Sequence, residues 1–471
     1  MKMKFIGQFA DTLDSRSNML MDGVSQCTYH EIPGIFDKIE TCLTEKNINH
    51  SACLAFECEN SLPGALVLLY LLEKGYSFLL IPQTSLKLSL PGFCHYRLRT
   101  ESVPAQTQTD YLNPERFLRV IPNEGKNGTT HAGVQKLYMR TSGSTGSPKM
   151  AVHAHTKLQE NVLNCVRRLE LDSNDRIAIP VPVFHMYGLG AAFLPAVAVN
   201  ASIDLQKGAN ILRYLQREKE FNPNVVFMTP IFCETLVKGR KSPRTYKLTV
   251  TAGDRFRGEV FSQYEALCGR LVQLYGSTEM GAIAASSPDT SFEFRAKTAG
   301  TPMPNVQMRM EKIAESTDIG ELWCRHQSGF EGYVDENGGP IDLGQELREG
   351  WFRTKDFGRI WQEQQIEVLG RCDHSVNRDG LLVFFADVEK ALETIAGIDS
   401  AVVVSKGESQ RGKNLVAYCV LSKNLEMTEK NIRTECFDLL SRNAIPDQII
   451  LVKSLPLLAN GKVDRQQLIH S

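Results

Sequence analysis

The stretch of sequence that decides the fold is TSGSTGSPK, residues 141–149. Its two glycines let the backbone approach a ligand closely, its hydroxyl side chains donate hydrogen bonds, and Lys149 supplies a positive charge. A strand-like segment, residues 135–139, precedes it, and a helical pattern begins at about Thr156. A loop of this composition between a strand and a helix is predicted to bind phosphate groups. A flexible Ser/Gly linker is the alternative, but such linkers seldom end in Pro-Lys.

Apolar segments of strand length alternate with longer amphipathic segments on both sides of this loop. Strands are predicted at residues 51–56, 77–81, 176–181, 225–228 and 247–251, and helices at residues 62–73 and 211–219. This alternation indicates parallel α/β layers, in which ligands bind beyond the carboxyl ends of the strands. After about residue 300, short β-like pieces separated by Gly and charged turns are typical of a small barrel or an antiparallel unit.

A separate α+β segment is predicted from Arg371 onward. It contains helices near residues 386–395 and 428–441 and strands at residues 400–405 and 415–421. We therefore expect an α/β protein with two domains. The first, residues 1–372, holds layered, doubly wound sheets and a small β-barrel, and the second, residues 373–471, is an α+β C-terminal domain.

Composition excludes several classes of protein. The 471 residues carry 53 Lys+Arg and 54 Asp+Glu, a net charge of -1, which lacks the basic excess of a dedicated nucleic-acid binder. The 12 cysteines form no CxxC pair, so neither a zinc site nor a disulfide framework is predicted. The N-terminus lacks a signal-peptide core, and the most apolar stretch, residues 65–72, is too short to span a membrane. These features favour a cytoplasmic protein with no membrane span.

A second motif, LYGSTE, occupies residues 274–279 and follows TAGD at residues 251–254. It offers an aromatic ring at Tyr275, hydroxyls at Ser277 and Thr278, and a carboxylate at Glu279. Such groups suit adenine stacking, phosphate binding and Mg²⁺ coordination, respectively. Taken singly, a Tyr-Gly turn and a glutamate are more often structural or solvated.

Three shorter motifs follow: TKD at residues 354–356, GRCD at residues 370–373 and NGKVDR at residues 460–465. A fixed carboxylate such as Asp356 can accept hydrogen bonds from two hydroxyls. By themselves, Arg371 and Asp373 would more often form an exposed ion pair. An Asn-Gly turn can direct the side chain of Lys462 outward.

Together, and in this order, these motifs resemble those of the adenylate-forming superfamily, which includes acyl-CoA synthetases, luciferases and nonribosomal peptide adenylation domains. The resemblance runs from about residue 138 to residue 465, and the first 130 residues match only in their α/β texture. It implies nucleotide-binding roles for Thr141, Ser142, Gly143, Ser144, Thr145, Gly146, Lys149, Ala252, Gly253, Asp254, Tyr275, Gly276, Asp356 and Arg371.

The resemblance also implies individual roles. Thr278 would bond the α-phosphate of ATP, Glu279 would help to hold Mg²⁺, and Asp356 would bind the ribose hydroxyls. Asp373 would be the hinge of a mobile C-terminal domain, from which Lys462 reaches the substrate carboxylate and the α-phosphate. The chain departs from the family pattern where Lys355 and Met150 replace glycines and Asn377 replaces a lysine.

The substrate is indicated by PVFHMYG, residues 182–188, which resembles a segment of acyl- and aryl-CoA ligases. Amino-acid activators carry an aspartate where this chain has His185, and an unpaired ammonium in an apolar pocket is costly. His185 is therefore predicted to take part in catalysis by gating the pocket or forming its wall, although a packing role is equally compatible with the sequence. The predicted substrate pocket comprises His185, Phe232, Gly276 and Gly281, the last three of which would fit an ordinary core as well.

The expected activity is ATP-dependent conversion of a non-amino carboxylic acid to an acyl-adenylate, with release of pyrophosphate, and transfer of the acyl group to a thiol. That thiol would belong to CoA or to the phosphopantetheine of a carrier protein. Stand-alone amino-acid activation and a non-catalytic nucleotide-binding relative are the alternatives.

Overall fold

The computed structural model describes residues 3–8, 17–83, 89–101, 113–124, 135–141, 149–208, 210–240, 242–254, 256, 258–313, 317–378, 381–409, 412–422, 427–457 and 463–470. Its strands are β1 Met19–Met21, β2 Gln26–Thr28, β3 Cys53–Cys58, β4 Ser77–Pro82, β5 Tyr96–Thr100, β6 Leu118–Pro122, β7 Lys136–Thr141, β8 Lys149–Ala154, β9 Arg176–Ile179, β10 Ser202–Leu205, β11 Val225–Met228, β12 Tyr246–Ala252, β13 Gly269–Ser277, β14 Gly281–Ala285, β15 Thr301–Pro302, β16 Gln307–Lys312, β17 Gly320–Arg325, β18 Tyr333–Val334, β19 Pro340–Ile341, β20 Leu347–Arg348, β21 Trp351–Ile360, β22 Ile366–Arg371, β23 Ser375–Arg378, β24 Leu381–Phe384, β25 Ile398–Ser409, β26 Gly412–Leu421 and β27 Gln448–Val452.

The α-helices are α1 Ile32–Glu45, α2 Leu62–Lys74, α3 Pro114–Phe117, α4 His155–Leu169, α5 Leu194–Ala198, α6 Ile211–Phe221, α7 Pro230–Gly239, α8 Gly258–Cys268, α9 Phe292–Lys297, α10 Phe385–Glu393, α11 Glu429–Leu439 and α12 Arg465–His470. A π-helix lies at Tyr187–Phe193, and 3-10 helices lie at Gly344–Glu346, Gln362–Gln364 and Cys372–His374. The five strands and two helices predicted from the alternating pattern on both sides of the loop agree with these bounds to within two residues.

Two large sheets carry the α/β layers. The nine-stranded sheet has the order β15-β14-β13-β12-β11-β9-β10-β1-β2, and the eight-stranded sheet has the order β19-β18-β8-β7-β4-β3-β5-β6. The central pairs of both sheets are parallel, as the strand–helix alternation predicted. A five-stranded sheet, β16-β17-β21-β20 with β22 paired to β21, occupies the region predicted as a barrel or antiparallel unit.

Helix α2 shows how local sequence and burial agree. The Ser61 hydroxyl accepts a hydrogen bond from the Gly64 amide at 3.2 Å, and Gly75 ends the helix in the left-handed region with φ 77°. Every residue from Leu62 to Leu72 is buried. A helix that is apolar on all its faces belongs inside the core, and this one follows β3 and precedes β4.

The TSGSTGSPK loop, residues 141–149, joins two strands, whereas the sequence predicted a loop between a strand and a helix. The strand before the loop and the helix after it are present, but β8 lies between the loop and α4. Strands β7 and β8 form an antiparallel hairpin in which Thr141 pairs with Lys149. The loop therefore does not open directly into the N-terminus of a helix. Strand β8 is mostly buried, and its apolar residues gave no helical or strand-like alternation that would have separated it from α4.

The chain divides into two compact units. The first comprises residues 1–309, 323–354 and 360–367, and the second comprises residues 310–322, 355–359 and 368–471. Within the second unit, a sheet of order β24-β23-β26-β25, with β27 paired to β26, packs with α10 and α11 around one apolar core. The domain boundary predicted after residue 372 stays a prediction.

The cysteines lie where small apolar residues would. All 12 are free thiols, and all except Cys372 are buried. This burial confirms that they are core residues rather than parts of a disulfide framework. Among the described helices, none is long and apolar enough to cross a membrane.

Candidate active site

Lys149 carries the charge of the predicted phosphate site. Its Nζ lies 3.6 Å from Glu346 Oε2 and 3.7 Å from the centroid of the Tyr333 ring. The face of an aromatic ring attracts an ammonium group without neutralising its charge, so the Glu346 carboxylate is the partner with which a bound anion would compete for Lys149. The predicted residues Ser142, Gly143, Ser144, Thr145 and Gly146 lie outside the described residues. Thr141 is described and pairs with Lys149 at the end of the hairpin.

Thr278 and Glu279 lie in the turn formed by residues 277–281, which connects the antiparallel strands β13 and β14. The Met280 amide donates to Ser277 Oγ at 3.1 Å inside this turn. Gly281 has φ 64°, and a Cβ there would lie 2.6 Å from Asn161 Oδ1, so only glycine fits without strain. Thr278 and Glu279 are half-buried, which leaves both side chains accessible to a ligand.

Tyr333 connects the two charged groups of the site. Its hydroxyl donates to Glu279 Oε1 at 2.6 Å, while Lys149 lies over the face of the same ring. A carboxylate and an ammonium are thus held by one buried side chain. The sequence prediction missed Tyr333, which lies in the segment FEGY, residues 330–333, among the short β-like pieces predicted after about residue 300. Nothing in that segment alone points to Glu279.

A second group of predicted residues follows from strand geometry. Strands β12 and β13 are parallel neighbours, with Ala252 opposite Leu274. Ala252, Gly253 and Asp254 therefore lie at the same sheet edge as Tyr275 and Gly276. Gly253 has φ 96°, which favours glycine, and a Cβ at Gly276 would lie 2.3 Å from the Gly281 carbonyl oxygen. The structure thus brings the TAGD and LYGSTE motifs together at the carboxyl ends of two strands, where such sheets bind ligands.

The predicted acid pocket is only partly supported by contacts. His185 is exposed, and its ring centroid lies 4.6 Å from that of Phe184. Phe232 packs edge-on against Tyr214, with 5.4 Å between centroids, and joins the core cluster around it. These contacts favour a core role for Phe232, whereas its role in a pocket stays a prediction. Gly281 and the neighbouring Met280 lie in the turn that carries Glu279.

Tyr187 is a further residue that the sequence prediction passed over. It begins the π-helix two residues after His185, and its hydroxyl lies 3.0 Å from Met228 O and 2.7 Å from Val250 O. These carbonyls lie at or near the carboxyl ends of β11 and β12. Burial raises the pKa of the Tyr187 hydroxyl well above its ordinary value, with a smaller effect from Cys233, so this group stays a neutral donor. Tyr187 thereby fixes the ends of both strands.

The second unit holds Asp356, Arg371 and Asp373 close together. Arg371 Nη1 lies 3.5 Å from Asp356 Oδ1, and Arg371 Nε lies 3.2 Å from Asp373 Oδ1. Burial opposes ionisation of Asp373, but the charge and hydrogen bond of Arg371 outweigh it and hold the pKa of this carboxyl below its ordinary value. Lys355 lies inside β21 with φ 61°, the left-handed conformation that the family's glycine adopts readily, so the departure from the family pattern costs backbone strain. Lys462 lies outside the described residues.

The residues present fit a magnesium ion. Within the described part of the chain there is no group of three or more His, Cys, Asp or Glu that could hold a metal. Mg²⁺ in nucleotide sites needs only one or two carboxylates, because phosphate oxygens and water complete its octahedron. Glu279 meets this need: Oε1 is held by Tyr333, and Oε2 makes no hydrogen bond to the described residues.

Two family models match the chain. The AMP-binding enzyme model covers residues 135–334, and the AMP-binding enzyme C-terminal domain covers residues 387–462, so that together they span more than half of the chain. The chain belongs to the adenylate-forming superfamily. This result confirms the resemblance predicted from the motifs. Lys149, Glu279 and Tyr333 all lie within residues 135–334, the range that the AMP-binding enzyme model matches.

Individual relatives of this adenylate-forming enzyme are distant. YdaB of Bacillus subtilis, which is named as an acyl–CoA ligase, is 25% identical over 94% of this chain and 94% of that protein. Indoleacetate–CoA ligase of Aromatoleum aromaticum is 25% identical over 71% of this chain and 67% of that protein. The solved structure of o-succinylbenzoate CoA synthetase (MenE) from Bacillus subtilis, in complex with its acyl-adenylate intermediate, has a TM-score of 0.80 at 19% identity and covers 99% of this chain and 98% of that chain. This structural match confirms the expected fold, with a large N-terminal and a small C-terminal domain.

The chain is thus an acid–thiol ligase of the adenylate-forming superfamily, which activates a carboxylic acid with ATP and forms a thioester. The particular acid, the thiol acceptor and the role of each site residue belong to the proposal below.

Proposed function

We propose that this enzyme activates a non-amino carboxylic acid, aryl or acyl, and transfers it to the thiol of CoA or of a carrier-protein phosphopantetheine. The observation that carries the proposal is the arrangement of Glu279, Tyr333 and Lys149. One tyrosine holds a carboxylate suited to a metal ion and an ammonium suited to phosphates. A triphosphate with its metal ion requires both charges in one site.

The reaction has two steps. A carboxylate oxygen of the acid attacks the α-phosphorus of ATP, the bond to the bridging oxygen breaks, and pyrophosphate leaves with that electron pair. The thiol sulfur then attacks the acyl carbon, AMP leaves, and the thiol proton passes to solvent. Neither step needs a covalent bond to the protein, so the enzyme acts by positioning and by charge neutralisation.

The predicted roles divide between the two units. Lys149 neutralises the β- and γ-phosphates, Thr278 donates its hydroxyl proton to an α-phosphate oxygen, and Tyr275 stacks on adenine. Asp356 accepts hydrogen bonds from the ribose hydroxyls, and Lys462 offsets the charge at the reacting carboxylate. Glu279 would hold Mg²⁺, which supplies charge neutralisation along the phosphates when it is bound.

His185 supports a substrate without an α-ammonium group. An aspartate at this place would neutralise an ammonium, but an imidazole offers no negative charge when neutral and would repel an ammonium when protonated. Activation of an α-amino acid is therefore disfavoured. His185 then borders the acid near the start of the π-helix.

Acid-dependent release of pyrophosphate from ATP and Mg²⁺ tests the proposal. A panel of aryl, fatty and amino acids is supplied singly to the full chain, and mass spectrometry of the products with CoA or with a phosphopantetheinylated carrier identifies the acceptor. We expect turnover with at least one aryl or fatty acid and a thioester with one of the two thiols. Turnover with amino acids alone would refute the reading of His185, and no turnover with any acid would favour a non-catalytic nucleotide-binding protein.

A further inference from the structure

Three consecutive backbone carbonyls of the 277–281 turn each accept a hydrogen bond from outside the turn. His153 Nε2 lies 2.8 Å from Thr278 O, the Phe330 amide donates to Glu279 O at 2.8 Å, and His326 Nε2 lies 2.9 Å from Met280 O. A carbonyl oxygen only accepts, so both histidine rings are donors through Nε2. These three carbonyls belong to the residues that the proposed function uses or adjoins.

The donors are themselves fixed. His153 lies on β8 and is 3% exposed. Phe330 and His326 belong to residues 326–333, which follow β17 and include the first residue of β18; we call them the 326–333 segment. This segment is tied to β8 at Val152, whose amide and carbonyl bond the carbonyl of Gly332 and the amide of Glu331 at 3.0 and 2.7 Å. The donors on both sides of the turn therefore form one hydrogen-bonded frame.

Close packing adds to the frame. A Cβ at Gly329 would lie 2.6 Å from Met280 Sδ, so the 326–333 segment packs directly against the Met280 side chain of the turn. Tyr333, at the end of the same segment, bonds the Glu279 carboxylate at 2.6 Å. The backbone of Glu279 and its side chain are thus both held from one segment.

Burial and the nearby charges favour neutral histidines. The pKa of His153 is lowered to about 4, chiefly by burial and to a smaller degree by Lys157 and His326, while the Thr278 carbonyl and Glu331 oppose the shift. Burial and Lys157 also lower the pKa of His326, against the effects of the Met280 carbonyl and Glu160. A neutral ring with its proton on Nε2 bonds a carbonyl without placing a positive charge beside the metal-binding carboxylate.

We propose that His153 and His326 are positioning residues, which hold the carbonyls on either side of Glu279 and thereby aim Thr278 and Glu279 at the α-phosphate and Mg²⁺. Neither ring touches substrate. The inference rests on the proposed function for the identity of the ligand, but it concerns how tightly the metal–nucleotide complex binds rather than which acid is activated.

Calorimetric titration of the full chain with ATP, with and without Mg²⁺, tests it. His326→Leu and His153→Leu delete the donors, and His326→Gln and His153→Gln keep an N–H group at a similar distance from the backbone. We expect each leucine variant to bind Mg²⁺–ATP about tenfold more weakly, because a carbonyl of the turn loses its hydrogen-bond donor and the orientation of Thr278 and Glu279 is no longer fixed. Metal-free ATP should change by less than about threefold, and the glutamine variants should recover most of the affinity.

His155→Leu is the matched control, since His155 is also buried, with a pKa lowered by burial, but neither of its ring nitrogens bonds a carbonyl of the 277–281 turn. Thermal unfolding of every variant distinguishes a loss of stability from a change in the orientation of Thr278 and Glu279. Leucine variants that bind Mg²⁺–ATP like the wild type, or that weaken both forms of ATP equally and no more than His155→Leu, would overturn the inference. Because binding is measured without an acid, the inference can hold even if no acid is turned over.

Discussion

The 277–281 turn and the Asp356–Arg371–Asp373 group hold the carboxylates for which we propose functions in opposite ways. In the turn, Glu279 is fixed by a neutral tyrosine hydroxyl and by uncharged donors to the backbone around it. In the second unit, Arg371 is 42% exposed and holds Asp356 and Asp373 through ion pairs of 3.5 and 3.2 Å. Hydrogen bonds from buried neutral donors are directional and little affected by salt, whereas half-exposed ion pairs are screened and exchange partners readily.

This difference separates two tasks. A metal-binding carboxylate must keep its place before the nucleotide arrives, because any reorganisation would weaken charge stabilisation. Residues at a predicted hinge must release one set of contacts and form another, and weak ion pairs permit that exchange. Four changes to the chain, in decreasing order of expected effect, would break or sharpen this contrast.

The largest effect is expected from Glu279→Gln. It keeps the size of the side chain and an acceptor for Tyr333 but removes the charge that would hold Mg²⁺, so acid-dependent pyrophosphate release should fall at least about 100-fold. Steady-state kinetics over a range of Mg²⁺ concentrations measure the loss. Glu293→Gln, an exposed position on α9, is the matched control and should keep full activity. Unchanged kinetics for Glu279→Gln would remove Glu279 from the metal site.

Tyr333→Phe tests the hydroxyl alone, because the ring that faces Lys149 remains. Loss of one hydrogen bond to a charged group is worth about 1.5–3 kcal/mol, which predicts a roughly tenfold or larger fall in kcat/KM for ATP. Tyr29→Phe removes a buried hydroxyl that bonds Ala201 O at 2.7 Å and should leave kcat/KM unchanged. Equal effects of the two substitutions would mean that Tyr333 matters only for stability.

Acid should weaken the first unit before it breaks the Arg371–Asp373 pair. Burial lowers the pKa values of His153 and His155 from the ordinary 6.5 to about 4 and about 3. Below pH 6.5 these histidines are protonated in the unfolded chain but stay neutral in the folded chain. The free energy of unfolding therefore falls as pH decreases, and each histidine contributes up to about 1.4 kcal/mol per pH unit to this fall. The loss from His153 ends near its folded value of about 4.

Urea unfolding at several pH values measures this slope, and His153→Gln should make it shallower because only His155 of the pair then remains. The pKa of Asp373 is lowered, so its carboxylate stays charged over the same interval. A slope that His153→Gln leaves unchanged would show that His153 is protonated in the folded chain.

The smallest effect is expected from Asp373→Asn. Exposed or half-exposed ion pairs contribute about 0–1 kcal/mol, so pyrophosphate release should change by less than about fivefold, and the difference from the wild type should vanish at high NaCl. The same kinetic assay at low and high salt measures it. A fall as large as that of Glu279→Gln would contradict the contrast between the two regions.

The sequence predicted the parallel α/β layers and the motif order because periodicity and glycine placement are local signals. It placed helix α2 to within one residue, since Ser61, Pro63 and Gly75 mark its ends. It predicted Thr278 and Glu279 but not their supports. His153, His326 and Tyr333 come from segments far from the turn in sequence, and a histidine or tyrosine in a strand looks the same whether it bonds a distant carbonyl or another core group.

Lys355 and the hairpin show two other limits. A lysine gives no warning of a left-handed backbone, because a residue with a Cβ does not favour that region, yet Lys355 has φ 61° inside β21. Strand β8, six buried or half-buried residues directly before α4, has a continuous apolar run that periodicity cannot assign.

Cys372 differs from the other cysteines in its burial, and a thiol reagent can therefore be used to report on its surroundings. The other 11 cysteines are buried, so a thiol reagent added to the folded chain has one half-exposed target, between Arg371 and Asp373. Burial, Glu321 and Asp356 raise the pKa of this thiol, which keeps it mostly protonated and slow to react. Any movement that draws those carboxylates away would speed alkylation, so the rate of labelling reports on the predicted hinge without an engineered cysteine.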